Sequence, residues 1–222
     1  MTDISFQAAD YPEIRRALFD LHTRILKNPN LDEIKTCAKH LGLWQHKTVS
    51  YKNDTELELL MDYRVYAYRP NGFNMAEKYL RLNKNSLSDY EQALLARMRL
   101  ARYAVYQVEA SNGTDAVTVA DVFIKTRFTL VDQHLAKTAT TGMVLASHLI
   151  DFGDFSIQSG ALLPLNKALL HADEVVDALE RIDDDHFADY LIDPANTAKL
   201  ARAIISASIR LGHTESVKYQ DV

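Results

Sequence analysis

Between Tyr103 and Leu165 the chain changes its hydrophobic period. The stretch YAVYQVEASNGTDAVTVADVFIKTRFTLVDQHLAKTATTGMVLASHLIDFGDFSIQSGALLPL holds most of the β-branched and aromatic alternation and four of the seven glycines. On both sides of it, apolar residues repeat at helical spacing. Alternation over short runs bounded by turn formers signals strands, whereas a period of 3.6 signals helices. A sheet is therefore expected in the middle of the chain, with helices before and after it.

Five runs carry the alternation: 103–108, 116–124, 128–132, 143–150 and 155–159. Ser111-Asn112-Gly113-Thr114 separates the first two, and Asp151-Phe152-Gly153-Asp154 reads as a hairpin loop between the last two. Consecutive runs lie too close together for the crossover that parallel pairing needs. The expected fold class is α+β: N-terminal helices, a central antiparallel five-stranded sheet or small barrel, and C-terminal helices covering it. The divisions are 1–102, 103–165 and 166–222. With no internal repeat, low-complexity segment or linker, they are expected to form one integrated domain.

The helices have legible starts. Asp10-Tyr11-Pro12-Glu13 opens the first, Asn30 the second and Asn53 the third, while Ser88 with Glu91 forms a capping box. The third should run through Leu57, Leu60, Met61, Val65 and Tyr68 until Pro70-Asn71-Gly72 stops it. After the sheet, Asn166 opens a helix carrying Leu169, Ala172, Val176 and Leu179. Asp193-Pro194 opens the last helix, which ends at Gly212 with Leu200, Ile204, Ala207 and Leu211 as its buried stripe.

Several chemistries are excluded. The chain has neither G-x-x-x-x-G-K-[ST] nor G-x-G-x-x-G, and no G-x-S-x-G elbow; Ser159-Gly160 is only half of one. The single cysteine, Cys37, excludes an internal disulfide and a cysteine-rich zinc site. It lies three residues before His40 on a helix, so a thiolate activated by imidazole competes with a buried structural cysteine, and the structural reading is preferred. No run spans a bilayer, and MTDISFQAADYP lacks the basic and apolar regions of a signal peptide; cytoplasmic residence without a membrane is the expectation.

Three clusters remain. Asp183, Asp184, Asp185, His186, Asp189 and Asp193 are close in sequence, and Asp185, His186 and Asp189 are the candidate ligands for a divalent metal. The competing reading is an acidic helix start favoured by the helix dipole. Tyr63, Tyr66, Tyr68 and Phe73 with Arg64 and Arg69 are suited to holding a planar ligand, or else pack over the sheet. The segment 64–102 carries eight Lys/Arg against three Asp/Glu, and 171–222 carries eleven Asp/Glu against five Lys/Arg. Within the basic segment, Arg64, Tyr66, Arg69, Arg97, Arg99 and Arg102 are the candidate ligand-binding residues. They serve a nucleic acid, or they dock on the acidic C-terminal part; docking is preferred because the formal net charge is −5.

The β stretch also resembles a known family. The pattern is Tyr103-Ala-Val-Tyr-Gln-Val108, Val119-Ala-Asp121-Val-Phe123, Thr141-Gly142 and Ser159-Gly160-Ala-Leu-Leu-Pro164. It is similar to uncharacterised bacterial proteins that carry the same helix-to-β module, some with a short metal-binding SEC-C segment, which one cysteine cannot form. The resemblance implies a bacterial cytoplasmic origin and no particular activity.

The expected function is therefore unknown in detail: a non-enzymatic binding or regulatory protein, with a protein partner, self-association or a nucleic acid as ligand and no cofactor. The alternatives are a metal-dependent enzyme using the 183–193 cluster, and a small-molecule sensor using a barrel interior.

Overall fold

A computed structural model describes residues 4–180, 182 and 186–216. Helix α1 (Tyr11–Leu26) comes after a short 3-10 turn at Ala8–Asp10. Asp10 does not cap α1; its carboxylate turns back to accept from the Gln7 N–H at 3.0 Å, and Pro12 starts the helix. Helix α2 (Leu31–His40) is capped as expected, with Asn30 accepting from the Asp32 and Glu33 N–H groups. A two-residue hairpin, β1 (Trp44–Gln45) and β2 (Thr48–Val49), leads to α3 (Asp54–Asp62), capped by Asn53. Helices α4 (Met75–Asn83) and α5 (Asp89–Met98) come next, and the Ser88/Glu91 capping box is complete.

The strands are β3 (Arg102–Ser111), β4 (Ala116–Asp121), β5 (Arg127–Val131), β6 (Val144–Asp151), β7 (Ser156–Gln158) and β8 (Leu163–Leu165). A six-residue helix, α6 (Gln133–Thr138), sits between β5 and β6. Of the antiparallel five-stranded sheet or small barrel expected from the sequence, the barrel forms, and its wholly antiparallel character is corrected. The strands close into a five-membered ring, β3-β4-β5-β7-β6 and back to β3, with β8 added along β6. One joint of that ring is parallel, where Leu130 of β5 pairs with Ser156 of β7. Every sequential pair is antiparallel, as short connections require. The parallel joint unites strands separated by α6 and β6, a connection long enough to cross over.

Closure gives the strands an inside and an outside. Ala104, Tyr106, Val108, Val117, Val119, Leu130, Leu145 and Leu149 form one core cluster inside the ring. Within it, the Tyr106 hydroxyl and Ser147 Oγ are 3.0 Å apart. The interior is therefore lined with packed side chains, as a small barrel's should be. Gly142 and Gly160 hold φ of +89° and +129°, which L side chains rarely adopt, while nothing lies within 4 Å of an added Cβ at either. Their constraint is conformational, not steric.

Two helical groups cover the outside. One core cluster joins Tyr103, Val105 and Ala146 of the barrel to α2, α3 and the last helix. The other joins Ile150 and Ile157 to α1 and α5. The C-terminal elements are α7 (Lys167–Leu170), α8 (Asp173–Glu180), α9 (Phe187–Ile192) and α10 (Pro194–Arg210). The single helix expected after Asn166 is broken into α7 and α8, and Val175 rather than Val176 is buried. Helix α10 packs against β3, α8 and residues after α3; Thr197 Oγ1 accepts from the Tyr103 N–H at 3.1 Å. Leu211, expected on its buried stripe, is 41% exposed because the helix has ended. Among the described residues, no helix is long and apolar enough to cross a membrane.

Candidate functional site

Helix α3 does not reach Tyr68 as the spacing predicts. It ends at Asp62, and Tyr63–Ala67 forms a π-turn, closed by the Tyr68 N–H donating to the Tyr63 carbonyl at 2.9 Å. The extra residue in this turn rotates the chain beyond it. Tyr63 and Ala67 enter the core under α10, while Val65 and Tyr66 enter the core under α1. The turn thus lies on the seam between the two helical groups. Buried Asn74 donates to the Tyr66 and Arg99 carbonyls, satisfying backbone there. Such single π-turns recur at functional sites.

A cleft of about 480 Å³ opens along this seam. Arg15, Leu18, Phe19, His22 and Leu26 of α1 form one wall. Glu58, Met61, Asp62 and Val65 form the other, and the loop Ser159-Gly160-Ala161 after β7 forms the floor. The lining is mostly apolar, with Arg15, His22, Thr23, Glu58, Asp62 and Ser159 as its polar members.

Two of them, His22 and Asp62, belong to a polar network. His148 of β6, fully buried, holds Asp62 Oδ2 at 2.5 Å through Nδ1. The Tyr66 ring stacks on His148 with centroids 5.3 Å apart, and Tyr103 meets it edge-on at 4.9 Å. The Tyr66 hydroxyl lies 2.6 Å from His22 Nε2. Burial holds the Tyr66 phenol well above its ordinary pKa, so it keeps its proton. His22 Nε2 is its hydrogen-bond partner, and which of the two donates depends on the imidazole tautomer. Burial is also the main cause lowering the His22 pKa; Asp62 opposes it and Arg15 reinforces it. Arg15 Nη1 donates to the Gln158 carbonyl at 2.8 Å. Ser159 is 6% exposed, and its hydroxyl has no hydrogen-bond partner.

None of the ligand-binding candidates singled out in the sequence lines this cleft; Tyr66 meets it through His22 and Arg64 through Met61. Arg64 is only 1% exposed, with Nε and Nη2 unpartnered and Nη1 3.1 Å from the Met61 sulfur, behind the cleft wall. The other arginines lie elsewhere. Arg69 donates to the Arg99 carbonyl, Arg99 approaches Glu77, and Arg102 pairs with buried Asp121 at 2.8 Å. Arg97 and Arg102 border a different concavity that also includes Asp189 and Asp193. For the acidic cluster, Asp185 lies outside the described residues, as do Asp183 and Asp184, and His186 and Asp189 are exposed on and before α9. Among the described residues, no three His, Cys, Asp or Glu side chains converge as a metal would require. Cys37 is buried, its thiol pushed up to about 12 chiefly by desolvation, while His40 Nδ1 faces the Tyr63 hydroxyl at 3.1 Å.

The concavity beside Arg97, about 600 Å³, and one beside His40, about 560 Å³, are larger than the seam cleft. Their charged side chains are mostly exposed or, as with Arg102 and Glu174, already paired. The seam cleft is set apart by buried polar atoms with hydrogen-bonding capacity to spare. Arg15, His22, Asp62 and His148 were missed in the sequence, and Ser159 was noticed there only as half of a nucleophile elbow. Two carried a signal: His148 interrupts an apolar strand, and Asp62 lies beside Met61 on a helix that must bury Leu59 and Leu60. Buried polar residues on apolar elements need partners.

The model of one protein family, described as a family of unknown function (DUF7986), matches residues 6–180. No curated protein and no solved structure matches the chain.

Proposed function

This chain belongs to the DUF7986 family of unknown function, and we propose that it is a cytoplasmic small-molecule-binding protein, not a catalyst, whose ligand occupies the cleft between α1 and the π-turn. The carrying observation is the unpartnered Ser159 hydroxyl in a largely apolar cavity that His22 and Asp62 also line. Apolar walls with a few convergent polar groups are the usual form of a small-ligand site. Binding rather than catalysis is favoured because the potential bases are engaged. His22 Nε2 faces Tyr66, His148 Nδ1 faces Asp62, and neither is hydrogen-bonded to Ser159. Arg64 and Tyr66 support the site from behind, Tyr66 through His22 and Arg64 through Met61.

Thr23 offers a clean test, because it is exposed at the cleft mouth and substitution there spares the core. A thermal-shift screen of small polar metabolites against the parent protein should give ligands that raise the melting temperature. At a hundredfold excess over Kd the gain is about 2.7 kcal/mol. Thr23→Trp should abolish that shift while leaving the unliganded melting temperature nearly unchanged. A ligand that stabilises both proteins equally binds elsewhere, and the assignment fails.

A further inference from the structure

Building on that cleft, we propose that its ligand is a small zwitterion with an apolar body: an ammonium held by Glu58 and Asp62, and a carboxylate held by Arg15 and Ser159. Two opposite charges face the cavity from different helices. Arg15, on α1, spends one nitrogen on the Gln158 carbonyl, and among the described residues no carboxylate pairs with it. Glu58, one turn before Asp62 on α3, has no cationic partner among the described residues. Although they line the same cleft, the two form no ion pair with each other. Glu58 is exposed on its side of the cleft, and partial desolvation together with the nearby Asp54 holds its carboxyl above its ordinary pKa.

This arrangement discriminates among ligands. A purely anionic ligand would satisfy Arg15 but bring like charge against Glu58. A purely cationic one would satisfy Glu58 but oppose Arg15. A neutral apolar one would desolvate both without compensation. A zwitterion compensates both walls at once. The polar groups near the Arg15 end also suit a carboxylate, since the unpartnered Ser159 hydroxyl comes directly after the Gln158 carbonyl that anchors Arg15. On the Glu58 side, Asp62 presents a second carboxylate, whose Oδ2 is held by His148. Leu18, Leu26, Met61 and Val65 line the space between and would contact an apolar side chain. A cavity of about 480 Å³ has room for a free amino acid or a short peptide. The two sources share this chemistry and differ only in the distance between charges.

Isothermal titration calorimetry separates them. The probes are leucine, phenylalanine, 6-aminohexanoate and leucyl-leucine, each beside an N-acetylated form and a C-amidated form. At least one parent zwitterion should bind, and capping either end should weaken it tenfold or more. Whether a free amino acid or the longer zwitterions bind identifies the source. Arg15→Gln should weaken the parent tenfold without further weakening the amide, and Glu58→Gln should do the same for the parent and the N-acetyl form. Arg16→Gln, an exposed neighbour, controls for net charge, and circular dichroism checks folding. If a capped form binds as well as its parent, the ligand is not a zwitterion, although the cleft remains its site. If no zwitterion binds while the Thr23→Trp screen still yields a ligand, this proposal fails and the cleft assignment stands.

Discussion

His22 shows how much one side chain can owe to its surroundings. Its ordinary pKa is 6.5, and burial beside α3 and the π-turn lowers it despite the pull of Asp62. In the unfolded chain it protonates near 6.5, so below that pH the unfolded state binds a proton that the folded state refuses. Its contribution to stability is therefore lost as the pH falls through 6.5 toward the lowered folded value, and is unaffected above it. Denaturant midpoints should drop over that window, and His22→Gln should make the drop shallower. A ring-proton NMR titration checks the cause directly: His22 must titrate below 6.5, and a value at or above it refutes the burial argument. Ser159 and Arg64 carry the same lesson, since each buries polar atoms without a partner. A buried unpaired group costs roughly 1–3 kcal/mol, more if charged. Such a cost is tolerated where a ligand or a local rearrangement can offset it.

At the level of elements, the π-turn and α10 set the geometry. Without the extra residue in Tyr63–Ala67, the residues after Asp62 would keep the α3 face. Tyr66 would then no longer reach under α1 to meet His22. Helix α10 is buried on most sides, and its small residues let β3, α8 and the π-turn come close. The two central alanines are not equivalent. Ala207 is wholly buried, whereas Ala203 borders the concavity beside His40, where a longer side chain has room. Ala207→Leu should cost about 1–3 kcal/mol by overpacking. Ala203→Leu should cost clearly less. Urea denaturation of both variants decides it, and equal losses would mean that the concavity gives no relief.

For the whole molecule, the question is where the basic segment 64–102 spends its charge. The sequence favours docking on the acidic C-terminal part. The partners found are mostly different: Glu33 for Lys78, Glu77 for Arg81 and Arg99, and Asp121 for Arg102. The acidic end contributes Asp189 and Asp193, which share a concavity with Arg97 and Arg102. With Arg64 buried and several of these cations engaged, few remain to release counterions from a phosphate backbone. Oligonucleotide binding should be absent or very weak even at low ionic strength, as measured by fluorescence anisotropy. Tight binding that collapses with added salt, and weakens in an Arg97→Ala/Arg99→Ala variant, would reverse this view.

The sequence by itself determined the local structure. Asn30, Asn53, Ser88 and Asn166 cap helices where their spacing predicts, and the alternation in 103–165 gives the strands. Caps, turns and periodicity act over a few residues, so they can be read without knowing the fold. The parallel joint between β5 and β7, the closed ring and the π-turn were decided by tertiary structure. Closing a barrel depends on which distant strands meet, and a π-turn forms because two separate cores each claim part of one helix. The candidate site belongs to that second category. Arg15, His22, Asp62, His148 and Ser159 are far apart in the chain, and none forms a motif with another. They meet because α1 and the π-turn pack on opposite sides of one seam over β6 and β7. That coincidence lies in the packing of two cores, which no local pattern encodes.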